Sequence, residues 1–163
     1  MSGTAIRLHS GHMFDFMDIE NAFILIGDIA HALSHTCRYG GHCPQFYSVA
    51  QHSVLVSHLV PREHAVHALL HDAAEAYLGD VVKPLKNLLP DYLGIERRLE
   101  REIFKRFYLP EVIPECVKSA DVHMLNVELN WLWHPVDGSY LEPQDPSKAK
   151  AEFLKRYEEL KHK

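Results

Sequence analysis

The segment from 64 to 77, which reads HAVHALLHDAAEAY, constrains the fold of this 163-residue chain more than any other. Apart from three histidines, one aspartate and one glutamate, it contains only alanine, valine, leucine and tyrosine. A helix that is apolar on nearly every side belongs inside a domain. At about 100° per residue, His71, Asp72 and Glu75 fall on one arc of that helix. Because buried ionisable groups need partners, the pattern predicts a metal ion bound at this helix.

Length and composition are those of a single globular domain over residues 1–163. The chain is 47% hydrophobic and 24% charged, and it is long enough to bury a core. Its formal net charge of −5 argues against a dedicated nucleic-acid-binding protein. We find no apolar run near the roughly 18 residues of a membrane span, and no secretory signal. Three cysteines without framework spacing fit a reducing compartment, so we expect a cytoplasmic protein without membrane or nucleic-acid partners.

Hydrophobic periodicity predicts an all-α, compact helical bundle that follows one short β-hairpin over residues 5–16. The predicted helices run from Asp18, as N-cap, to about Leu33, then over 47–60, from 64 to about 79–80 and over 92–108, and from Pro114 to about Trp133. The first of them would place Phe23 on its inner face. We expect residues 83–86 to interrupt the helical pattern. Asp145 followed by a proline opens a last, heavily charged helix over 145–163.

Two further polar residues lie on apolar faces of predicted helices. His52 and Asp121 each have apolar residues three and four positions away. Taken alone, His52 is equally well explained as a hydrogen-bonded core histidine, and Asp121 as the partner of a buried arginine. Together with His71 and Asp72 they form a set of two histidines and two aspartates from three helices. Such mixed nitrogen and oxygen ligands suit Zn, Mn, Fe, Co or Ni.

The order of these residues resembles the HD-domain phosphohydrolase superfamily: a lone histidine, a His-Asp pair about twenty residues later, and a distant aspartate. The chain more closely resembles the bacterial 5′-deoxynucleotidase branch of this superfamily, which includes phage dATP triphosphohydrolases. The segments that carry this resemblance are Arg38-Tyr39, 47–53 (YSVAQHS), 71–75 (HDAAE), 79–86 (GDVVKPLK) and 118–121 (KSAD). The resemblance covers roughly residues 11–121 and implies a bundle of the HD-domain type. A phage or prophage relative would act in the cytoplasm of its host.

The resemblance implies one divalent metal ion, Zn, Co or Mn, with a second Mg or Mn ion that could arrive with the substrate. Its implied ligands are His52, His71, Asp72 and Asp121. Glu75 would be the catalytic carboxylate that orients the attacking water, although an acid that only fixes a ligand histidine remains open.

The resemblance also implies contacts with a nucleotide substrate. Arg38 and Lys86 would bind phosphate, and Lys83 either binds phosphate or is merely solvated. Asp80 would contact the sugar or a second metal, or only cap a turn. Tyr39 would lie near the base.

We therefore expect a metal-dependent phosphohydrolase that cleaves deoxynucleotides at the α-phosphate. Its substrate would be a dNMP, as for a 5′-nucleotidase, or a dNTP such as dATP, as for a triphosphohydrolase. The alternatives are an HD-type cyclic-nucleotide or alarmone hydrolase and a non-catalytic metal-binding regulatory protein. Members of the family form dimers or larger rings, so a homo-oligomer, a dimer or a hexamer, is expected. Trp131 and Trp133 would then lie either in the core or at a subunit interface.

Overall fold

A computed structural model describes residues 3–134 and 141–161. Helices predominate in this part of the chain, and a two-stranded antiparallel sheet lies near the N-terminus. Its strands are β1 (Ala5–Arg7) and β2 (Met13–Asp15), with Ile6 opposite Phe14. Phe14 is buried. The hairpin predicted over residues 5–16 is confirmed.

The helices in chain order are α1 (Ile26–His35), α2 (Val49–His58), α3 (Ala65–Leu70), α4 (Glu75–Leu78), α5 (Lys83–Lys86), α6 (Pro90–Arg106), α7 (Glu115–Trp133) and α8 (Pro146–Lys161). As predicted, Asp145 caps α8, because its Oδ1 accepts hydrogen bonds from the backbone N–H groups of Ser147 and Lys148. The predicted last helix extends to 162–163, which lie outside the described residues. Within the described residues, no helix is both long and apolar enough to cross a membrane.

The first helix begins later than the sequence predicts. Asp18 does not cap it; its Oδ1 accepts a hydrogen bond from the Asn21 side chain, beside a single 3₁₀ turn. The chain then runs extended until α1 begins at Ile26. Because side chains alternate along extended backbone, Ile24 is buried while Phe23 is 65% exposed. The predicted inner position of Phe23 is therefore wrong.

The apolar segment over 64–77 is not one continuous α-helix. Between α3 and α4, the backbone N–H groups of Ala73 and Glu75 bond to carbonyls three residues earlier, at 3.0 Å each. Such 3₁₀-type bonds tighten a turn without reversing the chain, and His71 keeps helical backbone angles (φ −62°, ψ −33°). The tight turn at 71–74 therefore carries the His71-Asp72 pair.

Residues 83–86, predicted to interrupt the helical pattern, form the short helix α5. Pro84 is tolerated because it lies in the first turn, where a missing N–H costs no hydrogen bond.

The core lies between α1, α2, α3 and α8, which pack on one another, while α7 packs on α2. Leu99 and Ile103 of α6 are fully buried in it. This packing places α2, the turn after α3, and α7 around one point.

Candidate metal centre

Three segments bring the predicted metal ligands together. His52 lies in α2, His71 and Asp72 in the tight turn after α3, and Asp121 in α7. The distance from His52 Nε2 to Asp121 Oδ1 is 3.1 Å, and from His71 Nε2 to Asp72 Oδ2 it is 3.2 Å. The cross distances, His52 Nε2 to Asp72 Oδ2 and His71 Nε2 to Asp121 Oδ1, are both 3.8 Å.

Both imidazoles present the same nitrogen to this cluster. His52 Nδ1 lies 2.6 Å from a carboxylate oxygen of Glu128, and His71 Nδ1 lies 2.7 Å from the carbonyl oxygen of Ala68. Each of these oxygens accepts a hydrogen bond from Nδ1–H, so the proton of the neutral ring stays on Nδ1 and Nε2 is left to bind an ion. Both Nε2 atoms are buried, and neither makes a hydrogen bond of acceptable geometry with a described residue, despite the nearby carboxylates. Two unpartnered nitrogens facing two carboxylates fit a cation.

The ligand atoms of His52, His71 and Asp72 all lie within 4.8 Å of one another, so these residues could hold a metal ion. Asp121 adjoins this group through its contacts with both imidazoles, and its side chain is 41% exposed. The partly exposed carboxylate leaves room for a further ligand on that side. Mixed imidazole and carboxylate ligation is typical of divalent transition metals.

The charges of the cluster favour a cation. Burial lowers the pKa of His71, but Asp72 and Asp121 outweigh this effect and hold the pKa well above its usual value. Burial raises the pKa of both aspartates, yet the histidines outweigh it and hold both values well below the usual range. In the absence of a metal ion, the two carboxylates thus favour the protonated form of His71, and a metal ion would compete with that proton.

Glu128 is the residue of this site that the sequence analysis missed. It is fully buried in α7, seven residues after Asp121. One carboxylate oxygen, Oε1, accepts hydrogen bonds from His52 Nδ1 (2.6 Å) and the Tyr47 hydroxyl (2.8 Å). The only sequence signal is its position on the same helical face as Asp121, a second acid on a face that otherwise packs inward.

The other oxygen of Glu128, Oε2, accepts hydrogen bonds from the Tyr39 hydroxyl (2.7 Å) and Arg38 Nε (3.1 Å). A second guanidinium nitrogen of Arg38 lies 3.1 Å from the same oxygen. The third, NH1, lies 3.8 Å from Asp72. Tyr39 has a positive φ of 58°, and Gly40 and Gly41 continue that left-handed backbone. This turn places Arg38 and Tyr39 side by side on Glu128, which links them to the predicted ligand His52.

A cavity of about 580 Å³ opens beside the cluster. It is bordered by two of the four predicted ligands, Asp72 and Asp121. It is also bordered by the predicted catalytic and substrate residues Arg38, Tyr39, Glu75, Asp80, Lys83 and Lys86. Apolar residues complete its lining, among them Val81, Val82, Leu93 and Leu125. Its volume lies within the range of small-molecule sites.

Glu75 borders this cavity, and one of its two oxygens makes no hydrogen bond with a described residue. Its Oε1 lies 3.3 Å from Lys86 Nζ, whereas Oε2 is buried without a hydrogen-bond partner among the described residues. Burial, followed by the charges of Asp72 and Asp80, raises the pKa of Glu75 well above its usual value. Lys86 also donates to Glu96 (2.6 Å), so this predicted phosphate ligand is held by two carboxylates. Lys83 is exposed.

The chain is 41% identical over 168 aligned positions to the uncharacterized protein YfdR of Escherichia coli (strain K12). The alignment covers 95% of this chain and 94% of YfdR. The chain is also 38% identical over 124 positions to an uncharacterized protein of Rhodobacter capsulatus, covering 70% of this chain and 63% of that protein. No family model matches the chain. The identity to YfdR, over nearly the full length of both proteins, shows that the chain belongs to the YfdR family.

Proposed function

We propose that this protein is a divalent-metal-dependent phosphohydrolase of the HD-domain type that acts on deoxynucleotides. The observation that carries the proposal is the convergence of two buried, unpartnered Nε2 atoms with Asp72 and Asp121 at a cavity of about 580 Å³. The residues that hold the ion would be His52, His71, Asp72 and Asp121. When bound, a Zn, Co or Mn ion would supply Lewis acidity at a phosphate oxygen and lower the pKa of a water molecule.

Glu75 is the proposed proton acceptor. Glu75 borders the cavity, its Oε2 makes no hydrogen bond with a described residue, and Lys86 holds the other oxygen of the same carboxylate. A carboxylate whose pKa lies well above its usual value takes a proton more readily near neutral pH. Glu75 would orient the attacking water toward the α-phosphorus, and the nucleoside 5′-oxygen would leave. A dNMP would then release phosphate, and a dNTP such as dATP would release triphosphate.

The rest of the cavity supplies the proposed substrate contacts. Arg38 NH1 and the exposed Lys83 carry positive charge toward a phosphate chain. Tyr39 and the apolar lining would contact the base, and Asp80 the sugar or a second Mg or Mn ion brought by the substrate. These substrates are metabolites of the cytoplasm, so we place the activity there, in the host if the chain is phage-encoded.

The test is a panel of dNMPs, NMPs, dNTPs, cyclic nucleotides and alarmones, offered with Mn²⁺, Co²⁺ or Zn²⁺ and followed by product identification. We expect release of phosphate or triphosphate from deoxynucleotides and loss of that release in His71→Ala and Asp72→Ala. His123→Ala is the matched control, since His123 is an exposed histidine two residues from Asp121. The proposal would be contradicted if the protein turned over only cyclic nucleotides or alarmones, or turned over none of the panel. Retained turnover in both variants would also contradict it.

The same proposal includes a homo-oligomer, a dimer or a hexamer. Its support is an exposed apolar stripe on α7 at helical spacing, made of Val122, Leu129 and Trp133. Light scattering on the full chain tests it, because Leu129→Glu should lower the measured mass toward that of a monomer. A wild-type protein that is already monomeric would contradict it.

A further inference from the structure

A second cavity, of about 410 Å³, shares no lining residue with the cavity at the metal centre. The N-terminal hairpin segment contributes Arg7 and His9, α1 contributes Asp28 and His31, and α4 contributes Tyr77. Nothing in the proposed hydrolysis uses these residues.

Basic groups cluster at this cavity: Arg7, His9 and His31 line it, and Lys150 contacts the two histidines without lining the cavity itself. The rings of His9 and His31 stack with centroids 3.7 Å apart and planes 7° from parallel. Lys150 of α8 places Nζ 3.2 Å from His9 Nε2 and 3.5 Å from His31 Nδ1. Burial, followed by the charges of His9, His35 and Lys150, lowers the pKa of His31, although Asp28 opposes this. Over residues 3–134 and 141–161, neither Arg7 nor Lys150 forms a salt bridge with a carboxylate, so both cations lack a direct counter-ion.

Tyr77 provides an independent observation at the same cavity. It is only 6% exposed, and its hydroxyl is buried without a hydrogen-bond partner in the described part of the chain. An unsatisfied buried hydroxyl costs free energy that an acceptor on a ligand would recover. Asp28 is the one acid in the lining, but its two oxygens already accept hydrogen bonds from the Ser10 backbone N–H (2.7 Å) and hydroxyl (2.8 Å).

We propose that this second cavity binds a small phosphate-type oxyanion, with the charge supplied by Arg7 of its lining and by Lys150 behind the lining histidines, and with the Tyr77 hydroxyl donating a hydrogen bond. Two cations without salt-bridge partners outnumber the single carboxylate of Asp28. Charge-assisted hydrogen bonds from a guanidinium and an ammonium are the contacts by which proteins hold phosphate oxygens. The volume leaves space for a small organic group attached to the phosphate.

The test uses the full chain after a chelator has removed divalent ions, so that no metal ion is present to attract the anion. Inorganic phosphate and glycerol 3-phosphate are titrated separately by calorimetry, and the histidine ring resonances are followed by NMR. We expect saturable binding that shifts the signals of His9 and His31. Arg7→Gln and Lys150→Gln should each weaken it about tenfold or more. Tighter binding of glycerol 3-phosphate would identify a phosphomonoester as the ligand, and equal binding would identify free phosphate.

Lys118→Gln is the matched control, because Lys118 is a surface lysine on α7, 3.7 Å from Glu115. Tyr77→Phe removes only the orphaned hydroxyl and should also weaken binding. The proposal is overturned if neither probe binds, if the His9 and His31 signals do not move, or if affinity in both cavity variants equals that of Lys118→Gln. The binding variants lie outside the metal cluster, so this result and the result of the nucleotide panel can fail independently.

Discussion

Replacing Glu128 by glutamine changes one atom of the buried hydrogen-bond network that joins His52 to Arg38. In the native side chain, one oxygen accepts from His52 and Tyr47, and the other accepts from Arg38 and Tyr39. A glutamine amide must turn an NH₂ group toward one of these two pairs of donors. Whichever way the amide is turned, at least one buried donor, His52 Nδ1–H or the Arg38 guanidinium, loses its acceptor, and the charge of Arg38 loses its closest partner.

The magnitude follows from these lost contacts. A buried donor without an acceptor costs about 1–3 kcal/mol, and breaking a buried ion pair costs about 3–5 kcal/mol. We expect the free energy of unfolding to fall by about 3–5 kcal/mol, which lowers the Tm of a chain of this length by about 6–20 °C. Because the carboxylate also fixes which nitrogen of His52 faces the cluster, metal affinity should fall about 10–100-fold.

Thermal unfolding by circular dichroism and calorimetric titration with Co²⁺ measure the two effects. Glu115→Gln is the control on the same helix, since the Glu115 side chain is 84% exposed. Tyr47→Phe removes one donor and keeps the carboxylate, so it should cost only about 1 kcal/mol. If Glu128→Gln matches Glu115→Gln in both Tm and metal affinity, the positioning role assigned to Glu128 is wrong.

Three further predictions concern the metal cluster. Glu75→Gln should bind metal normally but turn over about 10²–10⁴-fold more slowly in steady-state assays; normal turnover would remove Glu75 from the mechanism. His52→Ala and Asp121→Asn should each reduce the bound metal per chain, measured by elemental analysis after dialysis, whereas His123→Ala should not. Because the raised pKa of His71 leaves a proton on the metal-free cluster, metal binding should release protons and tighten as pH rises. Calorimetry in buffers of different ionisation enthalpy detects that release, and heats independent of the buffer would contradict it.

Helical spacing was sufficient to predict that His52, His71 and Asp121 face inward. His52 and Asp121 have apolar residues three and four positions away, and His71 lies in a segment that is apolar on nearly every side. Helices bury such faces, so the convergence of these residues in space follows once the helices pack. The resemblance to the order of histidines and aspartates in the HD-domain superfamily added the expectation that these residues bind one ion together. The hairpin and the capped start of α8 were likewise predictable, because turn and cap residues act locally.

Other features depended on contacts that spacing does not reveal. Glu128 meets His52 and Arg38 across 76 and 90 residues of sequence. The resemblance assigned Arg38 to phosphate, but a buried guanidinium needs a partner, and two of its nitrogens contact Glu128. The tight turn at 71–74 was also missed, because over four residues a 3₁₀ turn and an α-helix place apolar side chains almost alike.

The metal centre can be tested most directly by anomalous diffraction from crystals grown with Zn²⁺. We predict one ion per chain bonded to the Nε2 atoms of His52 and His71, with oxygens of Asp72 and Asp121 completing the site, all at about 2.0–2.2 Å. The proposed metal centre would be contradicted if no anomalous peak appeared between the two imidazoles at saturating metal. An ion held by fewer than three of these four side chains would also contradict it.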